Sequence, residues 1–196
     1  MRGAEQIPWL YDASLALLER AGLGPWRQWL AAGAQGLTLD LGCGTGRNLP
    51  LFPAQTRAVG IDPCRESLLR ARRRAPGALL VQARAEELPF RDGTFRTVVS
   101  GLVLCSVRDP AMATREIRRV LAAGGTLRAL EHVRSPLRWK AWLQDWTQPA
   151  WTAFSGGCHP NRTTERTVEA AGLAIDPASL RARDTMRRFE ARPPVD

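Results

Sequence analysis

Lysine is almost missing from this chain: Lys140 stands alone among 28 basic residues, and all the others are arginine. With 19 acidic residues they leave a formal net charge of +9. A basic chain invites a nucleic-acid reading. The arginines are scattered, however, and their densest knot is Arg70, Arg72, Arg73 and Arg74. Such one-sided use of arginine reads as coding bias rather than as a phosphate-binding surface, so a nucleic-acid partner is not expected. Long apolar runs are also missing. None approaches the ~20 residues needed to cross a bilayer, and stable membrane insertion is not expected. The opening MRGAEQIPWLYD lacks the apolar core of a signal peptide, which points to a cytoplasmic protein. Cys43, Cys64, Cys105 and Cys158 form no CxxC pair. That spacing argues against a disulfide framework and against a zinc site. Cys158 and His159 are the sole Cys/His neighbours, and two adjacent residues rarely chelate one metal unaided, so no metal is expected.

What remains is an ordinary soluble composition, with 44% hydrophobic and 24% charged residues in a chain of 196. That length suits one domain, which we divide into an N-terminal helical lid over 1–34, a cofactor-binding core over 35–133 and an acceptor-side segment over 134–196. Helical spacing runs from about Ile7 to Leu30, and the break Gly22-Leu-Gly-Pro25 splits it into two helices. Short apolar strands then alternate with helical segments. Strands are expected at Leu37–Leu41, Ala58–Ile61, Ala78–Gln82, Phe95–Ser100 and Thr126–Leu130. Helices are expected from Gly46, from Pro63 to Arg74, and from Pro110 to Val120. After Ser135 come Trp139, Trp142, Trp146 and Trp151, with Pro149 and Gly156-Gly157 as breaks, and the tryptophans read as core and lid packing. A last helix, about Thr164 to Ala171, precedes strands near Leu173–Ile175 and Arg187–Ala191. Strands interleaved with helices in this way mean βαβ units: a doubly wound, mainly parallel α/β sheet, here expected to have seven strands.

The stretch LTLDLGCGTGRNL (37–49) places Gly42, Gly44 and Gly46 directly after the first strand. Ligands of such sheets settle at the carboxyl ends of the strands, where the strand order reverses. Asp62, ending the second strand, is well placed to accept both hydroxyls of a ribose. The residues therefore point to a nucleoside-bearing cofactor. The dinucleotide fingerprint G-x-G-x-x-G needs one more residue than this turn has, and Asp40 would repel a pyrophosphate. A carboxylate there suits a cofactor with a cationic amino-acid end.

DLGCGTGRN, VGIDPCRESL, ARAEELPFRDGTFRTVVS and SVRDPAMATREIRRVLAAGGTLRALEHV occur in order from about Leu37 to Val133. Together they closely resemble the class I S-adenosylmethionine-dependent methyltransferases. The resemblance implies a Rossmann-like methyltransferase fold and S-adenosyl-L-methionine as cofactor. It implies that Asp40, Gly42, Cys43 and Gly44 line the methionine part, that Asp62 holds the ribose, and that Ile61 and Pro63 lie beside the adenine. Ala85 and Glu86 would border the adenine ring, and Ser100, Gly101 and Leu102 would offer backbone near the amino group. Tyr11, with Trp9, would close over the cofactor. Three departures stand out: Arg84 and Arg96 replace family aspartates, and Ala123 replaces the proline of a PGG turn.

LEHVRSP and DWTQPAWTAFSGGCHPNRTT resemble the branch containing thiol S-methyltransferases and bacterial phospholipid or quinone methyltransferase homologues. This implies a small-molecule methyl acceptor, either a thiol or a lipid- or quinone-like compound. His132 is the candidate general base and His159 the second choice. Glu131 is a candidate contact to the cofactor region or acceptor. Monomer and homodimer are both open. So are a nucleic-acid methyltransferase, an NAD-dependent oxidoreductase and a non-catalytic cofactor binder as rival readings.

Overall fold

The computed structural model describes residues 22–155 and 157–194. The first of the two expected helices lies outside the described residues, and helical backbone runs through Gly22 to Pro25. Helix α1 covers Gly24–Ala32 with Pro25 in its first turn, a position where a missing N–H costs nothing. Strand β1 (Leu37–Leu41) leads into the glycine turn, β2 (Arg57–Asp62) into helix α2 (Arg65–Arg74), and β3 (Leu79–Gln82) into a long loop. Strand β4 (Phe95–Gly101), helix α3 (Pro110–Val120) and strand β5 (Leu121–His132) follow. Helix α4 (Arg138–Ser155), helix α5 (Thr164–Ala170) and strands β6 (Ala174–Ile175), β7 (Arg181–Arg183) and β8 (Met186–Arg192) complete the described chain.

The sheet runs β3-β2-β1-β4-β5-β8-β6, with β7 paired to β8. The first five strands are mutually parallel, and β8 enters antiparallel to β5 with Ala129 opposite Phe189. Strand order reverses between β1 and β4, which fixes the ligand crevice at their carboxyl ends. Val98 and Val99 on β4 are both fully buried but belong to different apolar clusters. Val98 packs with Leu39, Ile117 and Val168, and Val99 with Leu30 and Leu130. Successive strand residues point to opposite faces, so both faces of the sheet are covered. α1 is tied down by Arg128 of β5, whose Nε donates to the Leu30 carbonyl over 2.9 Å and whose guanidinium lies over the Trp29 ring.

Several expectations need correction. The seven expected strands form the continuous sheet, and Arg181–Arg183 adds to it a short exposed ribbon with β8 that three residues cannot announce. The glycine turn opens no α-helix. Only a 3-10 turn forms at Leu49–Leu51, since Pro53 forces Phe52 into extended backbone and ends it. Pro63 lies before α2, which begins at Arg65. α4 runs straight through Pro149 and stops at Ser155, short of Gly157, where φ is +104°. The Gly157 amide donates back to the Thr152 carbonyl (2.9 Å), a helix-closing bond of the kind glycine permits. Trp139, Trp142 and Trp146 lie 63%, 67% and 72% exposed rather than in the core. They share one face of α4, while the buried Ala141 faces inward.

Candidate functional site

A cavity of about 350 Å³ opens at the carboxyl ends of β1, β2 and β4, within the size range of small-ligand sites. Its floor is the glycine turn. At Gly44, φ is +53° and a Cβ would meet nothing within 4 Å, so the backbone there faces open space. Gly46 does something else: a Cβ would stand 2.9 Å from both Cα and Cβ of Ala71, so this glycine permits the close approach of α2. The two glycines thus divide the work, one giving access and the other packing.

Asp62 ends β2 in the cavity wall. Its Oδ2 accepts from the Gly44 amide (3.0 Å) and its Oδ1 from the Cys64 amide (2.8 Å). Burial pushes its carboxyl up, and the two backbone hydrogen bonds oppose that shift. Each carboxylate oxygen keeps a further acceptor direction for a ligand hydroxyl. Ile61, Pro63, Ala85, Glu86 and Leu102 join it in the wall, as do Gly42 and Gly44. Glu86 Oε1 is engaged by the amides of Arg108 (2.9 Å) and Asp109 (3.3 Å), fixing the loop opposite.

Four other expected residues lie just outside the wall. Asp40 is fully buried beneath the turn. Its Oδ1 accepts from Asn48 Nδ2 (2.8 Å), and Asn48 Oδ1 accepts from Arg27 of α1 (2.6 Å). Its Oδ2 is buried with no hydrogen-bond partner among the described residues. Burial raises the Asp40 carboxyl to about 7, against the pull of Asn48 and Arg27. An orphaned carboxylate oxygen costs free energy and is the donor-hungry counterpart that an ammonium group needs. The side chain of Cys43 turns away from the cavity and packs at Gly60. Ser100 points the other way, to Glu131 (2.7 Å). Gly101 faces Leu30 and Asn48. Tyr11 lies outside the described residues.

Glu131 is fully buried and does not line this cavity. Its carboxylate accepts from Ser100 Oγ and from the amides of Val103 and Leu104 (both 3.2 Å) and Cys105 (3.1 Å). Burial lifts it to about 7 despite these four bonds. It therefore acts on the site through the loop that it gathers. That loop begins at Leu102, held at φ +64°, and supplies Val103, Ser106, Val107 and Arg108 to the wall. These residues, with Ser155 at the end of α4, were not singled out in the sequence. Nothing in their local pattern marks them, because the fold alone brings 102–108 and 155 opposite the glycine turn.

His132 also stands outside the wall of this cavity. Its Nδ1 lies 3.6 Å from Cys158 Sγ, and its ring meets Trp151 edge to face at 6.0 Å. His159 is turned to its own segment, with Nδ1 2.7 Å from the Gly157 carbonyl. Arg84 does line the cavity, where it can donate but not accept. Arg96 does not: it sits at the start of β4 and donates to the Ala123 carbonyl (3.3 Å). No cluster of three or more His, Cys, Asp or Glu side chains suited to a metal ion exists among the described residues.

The geometry fits S-adenosylmethionine at two points of the wall, a carboxylate for a ribose and a turn that leaves Gly44 open, while Asp40 keeps a partnerless carboxylate oxygen buried beneath that turn. Residues 39–129 match the family described as "Methyltransferase domain". The human thiol S-methyltransferase TMT1B is 34% identical over 143 residues, covering 68% of this chain and 58% of that protein. The phosphatidylethanolamine N-methyltransferase of Cereibacter sphaeroides is 37% identical over 103 residues, covering 50% of this chain and 51% of its own. This chain thus spans somewhat over half the length of these relatives. Among solved structures, a putative methyltransferase from Haloferax volcanii, in complex with its Trm112 activator, superposes with a TM-score of 0.74 at 18% identity, covering 100% of both chains. That likeness speaks for the fold. With the ordered motifs, the domain match and the fold in agreement, the chain belongs to the class I S-adenosylmethionine-dependent methyltransferases.

Proposed function

We propose that this protein transfers a methyl group from S-adenosylmethionine to a small-molecule acceptor, and that the acceptor atom is a thiol sulfur. When bound, S-adenosylmethionine supplies an electrophilic methyl group on a sulfonium centre. Asp62 accepts the ribose hydroxyls, the orphaned Oδ2 of Asp40 draws the amino-acid end toward the glycine turn, and Ala85 with Glu86 borders the adenine. Arg84 stands where an acceptor would otherwise receive the adenine amine, leaving that contact to backbone carbonyls. Leu102, Ser106 and Ser155 enclose the remaining space, so their task is to align the acceptor and keep water out.

One observation supports the thiol: no histidine lines the described cavity, and His132 lies outside its wall with Nδ1 3.6 Å from Cys158 Sγ. A phenol, an amine or an activated carbon calls for a general base. A thiol, with a pKa near ~8.5, presents a useful thiolate fraction without one. The relatives named as thiol S-methyltransferases agree with this choice.

The deciding experiment incubates the protein with labelled cofactor and a panel of alkyl thiols, phenols, amines, quinones and phospholipids. Label should pass to the thiols. Transfer to an amine, quinone or phospholipid with none to any thiol would remove the acceptor assignment and leave the cofactor assignment standing. Calorimetric titration with NADH and with S-adenosylhomocysteine tests the cofactor separately, and only the second should bind.

A further inference from the structure

Cys105 and Cys158 lie 53 positions apart in sequence, yet the fold sets them on adjoining segments. Cys105 is buried in the loop after β4, and Cys158 is partly accessible just past α4. The segments are also joined through the backbone: the His159 amide donates to the Cys105 carbonyl over 2.7 Å, and Arg162 Nη1 to the Leu104 carbonyl over 2.7 Å. His132 completes the cluster, 3.6 Å from Cys158 Sγ, with Trp151 closing over its ring. Two cysteines on hydrogen-bonded segments, one shielded and one partly accessible with an imidazole beside it, form an arrangement that the methyl-transfer reading leaves unused.

We propose that Cys158 and Cys105 are a peroxide-modifiable thiol pair, with Cys158 as the attacking sulfur and Cys105 as the resolving one. The Cys158 thiolate attacks one oxygen of a hydroperoxide. The O–O bond breaks, the departing oxygen leaves as hydroxide (or alkoxide) and takes up a proton, and the sulfur is oxidised by two electrons to a sulfenic acid. The Cys105 sulfur then gives up its proton and attacks Cys158 Sγ. An S–S bond forms, the S–O bond breaks, and water leaves. The net change is two thiols and one hydroperoxide to one disulfide, one water and one water or alcohol. The environment sorts the roles. The neighbouring Cys105 side chain, and then His132, hold the Cys158 thiol well below the ordinary thiol range, although burial works against them. Cys158 in turn, with burial and the Glu131 carboxylate, pushes Cys105 up. Low thiolate pKa and access select the attacking sulfur.

The bond would join two walls of the cofactor cavity. Cys105 sits between Val103 and Ser106, which line it, and Cys158 lies three residues beyond Ser155, which also does. Oxidation therefore fixes loop 102–108 to the chain leaving α4.

The wild-type full chain supplies its own controls: Cys64 is partly accessible, whereas Cys43 is buried and pushed up by that burial. The chain is treated with substoichiometric hydrogen peroxide, the remaining thiols are blocked, and peptides are mapped by mass spectrometry. The expected product is a Cys105–Cys158 disulfide that forms at least ~10-fold faster than oxidation at Cys64. With Cys105→Ser, a dimedone-trappable sulfenic acid should persist at Cys158. With His132→Ala, the disulfide should form several-fold more slowly. First oxidation at Cys64, or oxidation of Cys158 to sulfinic acid without a disulfide in the wild type, would overturn the proposal. Methyl transfer plays no part in this readout, so failure of one reading leaves the other intact.

Discussion

Ser100 on β4 donates its hydroxyl to Glu131 on the neighbouring β5 over 2.7 Å, deep inside the protein and at the root of a cavity wall. The carboxylate also collects three consecutive amides, Val103 to Cys105, so one side chain sets the path of the loop facing the cofactor. Glu131→Gln keeps the size but turns one acceptor into a donor aimed at an N–H. A buried group left unsatisfied costs about 1–3 kcal/mol. Ser100→Ala removes a single donor and should cost about 1 kcal/mol. Urea midpoints should rank Glu131→Gln as the more destabilised, and S-adenosylhomocysteine affinity should fall with it. Equal midpoints would mean that Glu131 does not organise the loop.

Asp62 holds both the glycine turn and, in our reading, the ribose. Asp62→Ala removes hydrogen bonds to a charged acceptor, worth about 1.5–3 kcal/mol in typical cases. Calorimetry should show S-adenosylhomocysteine binding weakened roughly 10- to 100-fold, since 1.4 kcal/mol is a factor of about ten. Unchanged affinity would mean that the ribose lies elsewhere.

Much of this was legible because periodicity and turn chemistry act locally. β1, β4 and α3 follow from alternating or helical apolar spacing, and Asp62 from its place at a strand tip. What escaped depends on contacts distant in sequence. Pro149 reads as a helix breaker, yet the turns on either side outweigh one lost hydrogen bond. Nothing before residue 158 announces the thiol that lies beside His132. Ser155 and Ser106 enter the cavity wall only through the crossover of α4. The tryptophans of α4 look like core from composition, and only the orientation of the helix shows them exposed.

Stability should depend on pH in the direction opposite to that of an ordinary acidic surface. Asp40 and Glu131 titrate near 7 in the folded chain because they are buried, and near 3.8 and 4.5 otherwise. Between those values the native state holds more protons than the unfolded one, so stability falls as pH rises from about 5 to 7.5 and then levels. The size is on the order of 3–4 kcal/mol per group at most. Thermal melts across that window should show a falling Tm, and Asp40→Asn should flatten part of the slope. Over the same window S-adenosylhomocysteine, which keeps the ammonium group, should bind more tightly as Asp40 ionises. A Tm that rises from pH 5 to 7.5 would contradict the burial of these carboxyls.

Gly44 and Gly46 share positive φ and lie two residues apart, but alanine should act differently at each. At Gly46 the new methyl would meet Ala71 Cα and Cβ at 2.9 Å and Leu49 Cδ1 at 3.2 Å, so strain adds to overpacking and the cost should reach about 2–4 kcal/mol. At Gly44 the methyl enters open space, and only the left-handed backbone is penalised, by about 1–2 kcal/mol. That space is the cavity floor, so Gly44→Ala should fold yet bind S-adenosylhomocysteine roughly tenfold or more weakly, a loss of about 1.4 kcal/mol. Chemical denaturation and calorimetry on the two variants separate the effects: Gly46→Ala should lose mainly stability and Gly44→Ala mainly affinity. If Gly44→Ala kept full affinity, the cofactor would not approach the turn at that residue, and the floor of the site would have to be sought nearer Leu102.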